Sequence, residues 1–135
     1  MSAAPPVGKN RQVRQPLVVA ATLVCAASML GLGLWAFLDP PSFAGFVDFP
    51  PYNEHLIHDA GAFQIGIGAA LLVALWLPDG LVVALTGFAV AGGLHTIAHA
   101  IDRHLGGHDS DVPSLGLLTL VALAAIAARI RRRTS

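Results

Sequence analysis

The stretch Pro50–Phe63, PPYNEHLIHDAGAF, decides how the chain is read, because it sets Glu54, His55, His58 and Asp59 at the mouth of an almost unbroken apolar run. Asn53 is a good helix N-cap. Glu54 follows in the first turn, where the positive end of the helix dipole welcomes a carboxylate. From Ala60 to Leu77 the side chains are almost all apolar. A helix started at Asn53 therefore leaves an aqueous surface and enters hydrocarbon.

The rest of the chain agrees. Of its 135 residues 55% are hydrophobic and 12% charged, with a mean hydropathy of +0.67, whereas a soluble domain is about 25% charged. A spanning helix needs roughly 20 apolar residues, and runs of that kind lie at Leu17–Leu38, Ala60–Leu77, Leu81–Ile101 and Leu115–Ile130. The expected fold class is all-α: a four-helix transmembrane bundle over 17–130, with helices at about 17–38, 54–77, 80–104 and 113–130. Residues 1–16 form a tail and 131–135 a second, basic one. The first run is too long for a signal-peptide core of about 7–15 residues, and Val24 before Cys25 is too bulky for lipoprotein cleavage. Cys25 is the sole cysteine, so an intramolecular disulfide is excluded.

Charge placement orients the bundle. Lys9, Arg11, Arg14, Arg129, Arg131, Arg132 and Arg133 lie at the chain ends, which an even number of spans puts on one side. The positive-inside rule makes that side cytoplasmic, in a multi-pass protein of the plasma membrane. Asp39, Asp48, Glu54, Asp59, Asp102, Asp109 and Asp111 then face outward with all six histidines, and only Asp79 lies on the inner turn. Chemistry is expected at the outer face.

Between the first two spans, Asp39 can cap a short interfacial helix with Pro40 at its first position. Phe43, Phe46 and Phe49 recur every three residues and are expected on one side of it, flat against the membrane surface. Trp35, Phe37 and Tyr52 complete an outer aromatic belt, and Trp76 marks the inner one. The turn Pro78-Asp79-Gly80 predicts an antiparallel hairpin of the second and third spans, with Gly61, Gly66 and Gly68 facing Gly87, Gly92 and Gly93 in close backbone approach.

The candidate site lies on that hairpin. In LHTIAHAIDRH, His95, His99 and Asp102 fall within a stripe about 60° wide on one helix face. His55 and Asp59 are spaced i, i+4 on the preceding span, as are Glu54 and His58. At 1.5 Å per residue Asp59 stands roughly 27 Å above Leu77 and His95 roughly 21 Å above Leu81, so the groups are expected at one level just under the outer interface. Neutral imidazoles and carboxylates form the ligand set of zinc, iron, copper or manganese. The expected ligands are His55, His95 and His99, with Asp59, Glu54 or Asp102 completing or orienting the shell. Two alternatives stand beside it: a polar clamp that only fastens the bundle, and proton handling. A non-covalent haem between facing histidines is less favoured, because carboxylates crowd the same level and no CxxCH is present. Nucleophilic triads, phosphate-binding loops and nucleic-acid patches are absent from the sequence.

PPYNEH, the following Asp59-Ala60-Gly61 and the later HxxxH together resemble a group of small four-helix actinobacterial membrane proteins, loosely similar to DoxX-like proteins. The resemblance covers Trp35 to the end of the fourth span and rests on Glu54, His55, Asp59, His95 and His99. Asp102 stands where the group's later motif carries a third histidine. The resemblance implies the four-helix fold and an association with redox membrane complexes. The functional expectation is a metal-binding membrane protein with a redox or metal-handling role. The alternative is an accessory subunit, as a homo-oligomer or within a larger membrane complex.

Overall fold

A computed structural model describes residues 15–77 and 80–131. The turn residues Pro78 and Asp79, and the tails up to residue 14 and from residue 132, lie outside the described residues. Among the described residues five helices follow in order: α1 Pro16–Leu38, α2 Pro40–Val47, α3 Glu54–Ala74, α4 Gly80–Ile101 and α5 Asp111–Arg131. Four of them, all but α2, are long and apolar enough to cross a membrane. In hydrocarbon no water can satisfy a backbone amide, so the helix, which pairs its own N–H and C=O groups, is the form such segments take. Phe63, Val83 and Leu94 stand exposed on the long helices, as contact with a lipid bilayer requires and as a water-soluble domain would avoid.

The close helix pairs are α1 with α3 and α4 with α5, rather than the sequence-adjacent α3 and α4. Gly33 and Gly61 meet backbone to backbone: a methyl on Gly33 would lie 2.9 Å from the Gly61 carbonyl oxygen, and one on Gly61 would lie 2.8 Å from that of Gly33. Gly68 fits under Leu30, and Gly92 meets the Thr119 hydroxyl on α5. The expected glycine seam between the second and third spans is thus corrected. Gly61 and Gly68 serve α1, Gly92 serves α5, and Gly66 and Gly87 face open space. A short turn fixes which helices are neighbours in sequence, but small residues fix which backbones can touch.

The core occupies one half of the bundle. Val18, Thr22, Cys25 and Ala26 of α1 pack there with Leu71 and Ala74 of α3, Leu85 and Phe88 of α4, and Ala122 and Ala125 of α5. Thr22 satisfies its hydroxyl on the Val18 carbonyl at 2.8 Å. At the opposite end lie α2, the histidine-bearing ends of α3 and α4, and the α4–α5 loop with His104 and His108.

Local signals set the helix ends there. Asp39 Oδ1 accepts the Ser42 N–H at 3.3 Å, and Pro40 opens α2. The helix stops at Asp48, which takes a left-handed conformation (φ 51°). Asn53 Oδ1 accepts the Leu56 N–H at 3.1 Å and starts α3 as expected. α3 stops at Ala74 and α4 at Ile101, each three residues before the expected ends at 77 and 104. Beyond Ile101 a tight turn, Leu105 N–H to Asp102 O at 2.8 Å, leads to Gly106 and Gly107, both at positive φ. The Gly107 N–H is bonded to the Asp48 carbonyl at 2.9 Å, which ties the α4–α5 loop to the end of α2.

The three phenylalanines do not form a membrane-facing row. Phe43 is buried and meets Trp35 edge-on with ring centroids 5.6 Å apart, Phe46 lies 4.9 Å from the same indole, and Phe49 falls beyond α2. The eight-residue helix turns Phe43 inward against Trp35 and lays the half-exposed Phe46 beside the same indole, so the three rings share no single plane.

Candidate functional site

Between α3 and α4, at the histidine-bearing end, lies a cleft of about 350 Å³. Its roof comes from α2 and the segment after it, through Phe43, Val47, Phe49 and Pro51. One wall is the α3 stripe Asn53, Ile57, Ala60 and Gln64; the other is His95, Ala98, His99 and Asp102. A second cavity of about 240 Å³ continues into the bundle between Met29, Ile67, Phe88 and Leu118. Ala60, Gln64 and His95 line both, so they form the neck between them.

The polar groups are unevenly satisfied. His99 Nδ1 lies 3.3 Å from Asp111 Oδ2, with the two side chains only 16% and 24% exposed. Asp111 stands in the first turn of α5, where the helix dipole favours its charge, and the same oxygen accepts the His108 N–H at 2.8 Å. The Asp111 carboxylate stands behind Nδ1 of the imidazole, so Nε2 is the ring nitrogen on the side away from that charge. The His95 ring meets the His99 ring edge-on at 4.6 Å, and Phe49 covers His99 from the other side at 5.1 Å. Gln64 Oε1 is buried at the neck without a hydrogen-bond partner. In the inner cavity, by contrast, Thr119 is bonded to the Leu115 carbonyl at 3.0 Å, which leaves that space chemically apolar.

The six expected ligands do not come together. His95, His99 and Asp102 line the cleft, but Glu54, His55 and Asp59 do not. The α3 stripe facing α4 passes through 53, 57, 60 and 64, and at 100° per residue His55 and Asp59 lie roughly 170° and roughly 130° round the helix from it. They pair with each other instead, at 3.6 Å, on an open surface where the His55 side chain is 88% exposed. Glu54 accepts a long hydrogen bond from the Tyr52 hydroxyl at 3.4 Å. His58 turns to α1, its ring 5.3 Å from that of Phe37. Among the described residues no three His, Cys, Asp or Glu side chains are arranged to hold one metal ion.

Two contributors were not singled out from the sequence as site residues: Asp111 and Gln64. Asp111 carried a usable signal, since an acid opening an apolar run marks a helix start close to other loop residues. Gln64 is the one amide within the apolar stretch of the second span. No family model, curated protein or solved structure matches the chain. The class it falls in is therefore set by the fold alone: an all-helical, multi-pass integral membrane protein.

Proposed function

We propose that this chain is a multi-pass protein of the plasma membrane with cytoplasmic termini, whose cleft opens on the outer face and binds a small amphipathic molecule. The observation that carries the reading is the pair of joined cavities between α3 and α4, which have imidazoles on one side of the neck and an apolar chamber beyond it. Binding sites of small molecules are of this kind, about 300–1,000 Å³, mostly apolar, with a few convergent polar groups. The orientation is supported by the basic residues at the opposite end.

Ala98→Cys, which puts a thiol on the cleft wall, tests the reading. Cys25 is fully buried and serves as the internal unreactive thiol. A membrane-impermeant maleimide added outside should label Cys at position 98 and leave the wild type unlabelled. A panel of single-chain probes (dodecanol, dodecane-1,2-diol, 1,2-dimethoxydodecane and dodecanoate) should contain members that slow the labelling. A panel that has no effect would remove the binding reading.

One observation favours a second reading, a metal ion held by His95 and His99. Asp111 on Nδ1 of His99 is the arrangement by which metal-ligating imidazoles are commonly oriented. It also agrees with the DoxX-like resemblance and its redox association. Cobalt(II) titration distinguishes the two readings: a visible ligand-field band that the His95→Ala, His99→Ala double variant loses supports the metal, and identical spectra refute it.

A further inference from the structure

We infer that the occupant of the cleft is a neutral single-chain lipid whose head carries hydroxyl donors, of the monoacylglycerol type; this rests on the binding reading above. The inference comes from what the polar atoms at the neck still require. Gln64 Oε1 is a buried acceptor with no partner, and an unmet buried acceptor is costly. The Asp111 carboxylate, which can only accept, stands 3.3 Å from His99 Nδ1 and so draws the proton of the neutral ring to that nitrogen, which makes Nε2 an acceptor as well. Two acceptors on opposite walls ask for donors from the ligand, and a vicinal diol supplies two on one head.

Charge narrows the class further. Asp102 lines the mouth, and Asp111 stands directly behind His99, so a carboxylate or phosphate head would meet like charge from both. Among the described residues no Lys or Arg lines either cavity to offset this. The inner chamber, lined by Met29, Ile67, Phe88 and Leu118, suits an alkyl chain. Its threonine hydroxyl is already bonded within α5 and asks for nothing. A head at the neck with one chain running inward uses both cavities at once.

The experiment uses the full chain in nanodiscs with Ala98→Cys as reporter and compares dodecane-1,2-diol with 1,2-dimethoxydodecane, the same skeleton with its donors masked, and with dodecanoate. At equal mole fraction in the bilayer the diol should slow maleimide labelling at a concentration about tenfold lower than the ether, the gap that one or two unmade hydrogen bonds produce. Dodecanoate should fall behind both. Gln64→Leu and, separately, Gln64→Met should shrink the diol-to-ether ratio toward one, and because the ratio is internal to each variant, neither membrane partitioning nor a modest loss of stability can imitate that result. Equal protection by diol and ether, or a ratio unchanged by both Gln64 variants, would overturn the hydroxyl inference and leave the cleft as a binding site. No protection by any probe would overturn the binding reading and this inference with it.

Discussion

The Asp111–His99 contact is the point at which the site can be measured as an energy. Removing the carboxylate with Asp111→Ala deletes the Nδ1 partner, the acceptor of the His108 N–H, and a negative charge on the first turn of α5. A charge-assisted hydrogen bond is worth about 1.5–3 kcal/mol in soluble proteins, but side-chain bonds within membrane bundles couple by only about 0.6 kcal/mol on average and about 1.7 at most. At 3.3 Å the contact is long, yet both side chains are largely shielded. These considerations set the His99–Asp111 coupling at about 1 kcal/mol. The helix-terminus charge adds about 0.3–1 kcal/mol, so Asp111→Ala alone should cost about 2 kcal/mol and more than His99→Ala.

A double-mutant cycle separates these parts. Reversible unfolding in mixed micelles by a denaturing detergent, followed by tryptophan fluorescence, gives the stability of wild type, Asp111→Ala, His99→Ala and the double variant. If the coupling comes out below about 0.3 kcal/mol, within the additivity expected of independent sites, the two side chains do not hold one another. The claim that Asp111 orients the imidazole would then be wrong.

Gly61→Ala should destabilise by about 1–3 kcal/mol, because its methyl would press on the backbone of α1. Gly66→Ala, which faces open space, should be neutral or stabilising by up to about 1 kcal/mol in the same unfolding assay. Equal effects of the two would contradict the α1–α3 packing. His55→Ala should change stability by no more than about 0.5 kcal/mol, since its pair with Asp59 is exposed to solvent. Tyr52, the sole tyrosine, can be titrated directly by its phenolate absorbance. Partial desolvation first, and the Glu54 carboxylate second, push its pKa above the ordinary value of about 10.0. The neutral phenol is thus the form the folded protein prefers, and whatever stability this gives is present below pH 10 and lost as the pH rises through the elevated midpoint. Glu54→Gln should lower the midpoint without returning it fully to the ordinary value; no movement would mean that the Tyr52–Glu54 contact is not made.

Much of the architecture was legible because membrane-length helices depend on little but local composition. The spans, the Asn53 cap and the Asp39-Pro40 start of α2 are each written within a few residues. Pairing was not legible, because Gly61 has the same sequence signature whether it faces α1 or α4, and only the competition among all helix faces decides. The site split along the same line. His95, His99 and Asp102 share a stripe on one helix, and their common face follows from spacing alone. Whether His55 and Asp59 join them depends on the rotation of α3, and that rotation is set by the contact of Gly61 with Gly33 of α1, on another span and outside any local pattern. Asp111 was missed for a related reason: it reaches His99 only because the glycine turn at 106–107 folds α5 back along α4.

The cleft itself follows from the way the glycines are shared out. With Gly61 and Gly68 committed to α1, and Gly92 to α5, the bundle consists of two tight pairs that meet through α1 with α5 and through a looser seam between α3 and α4. At one end Leu71 and Leu85 close that seam with apolar packing. At the other the facing residues are Gln64, His95, His99 and Asp102, and pressing these together without water would bury acceptors and a charge that have no partners. Closing the seam there would cost more in desolvation than the apolar contact could return, so the pairs splay and α2 roofs the gap. A ligand that supplied hydrogen-bond donors at the neck and a chain for the inner chamber would remove that cost, and would therefore stabilise the open arrangement that admits it.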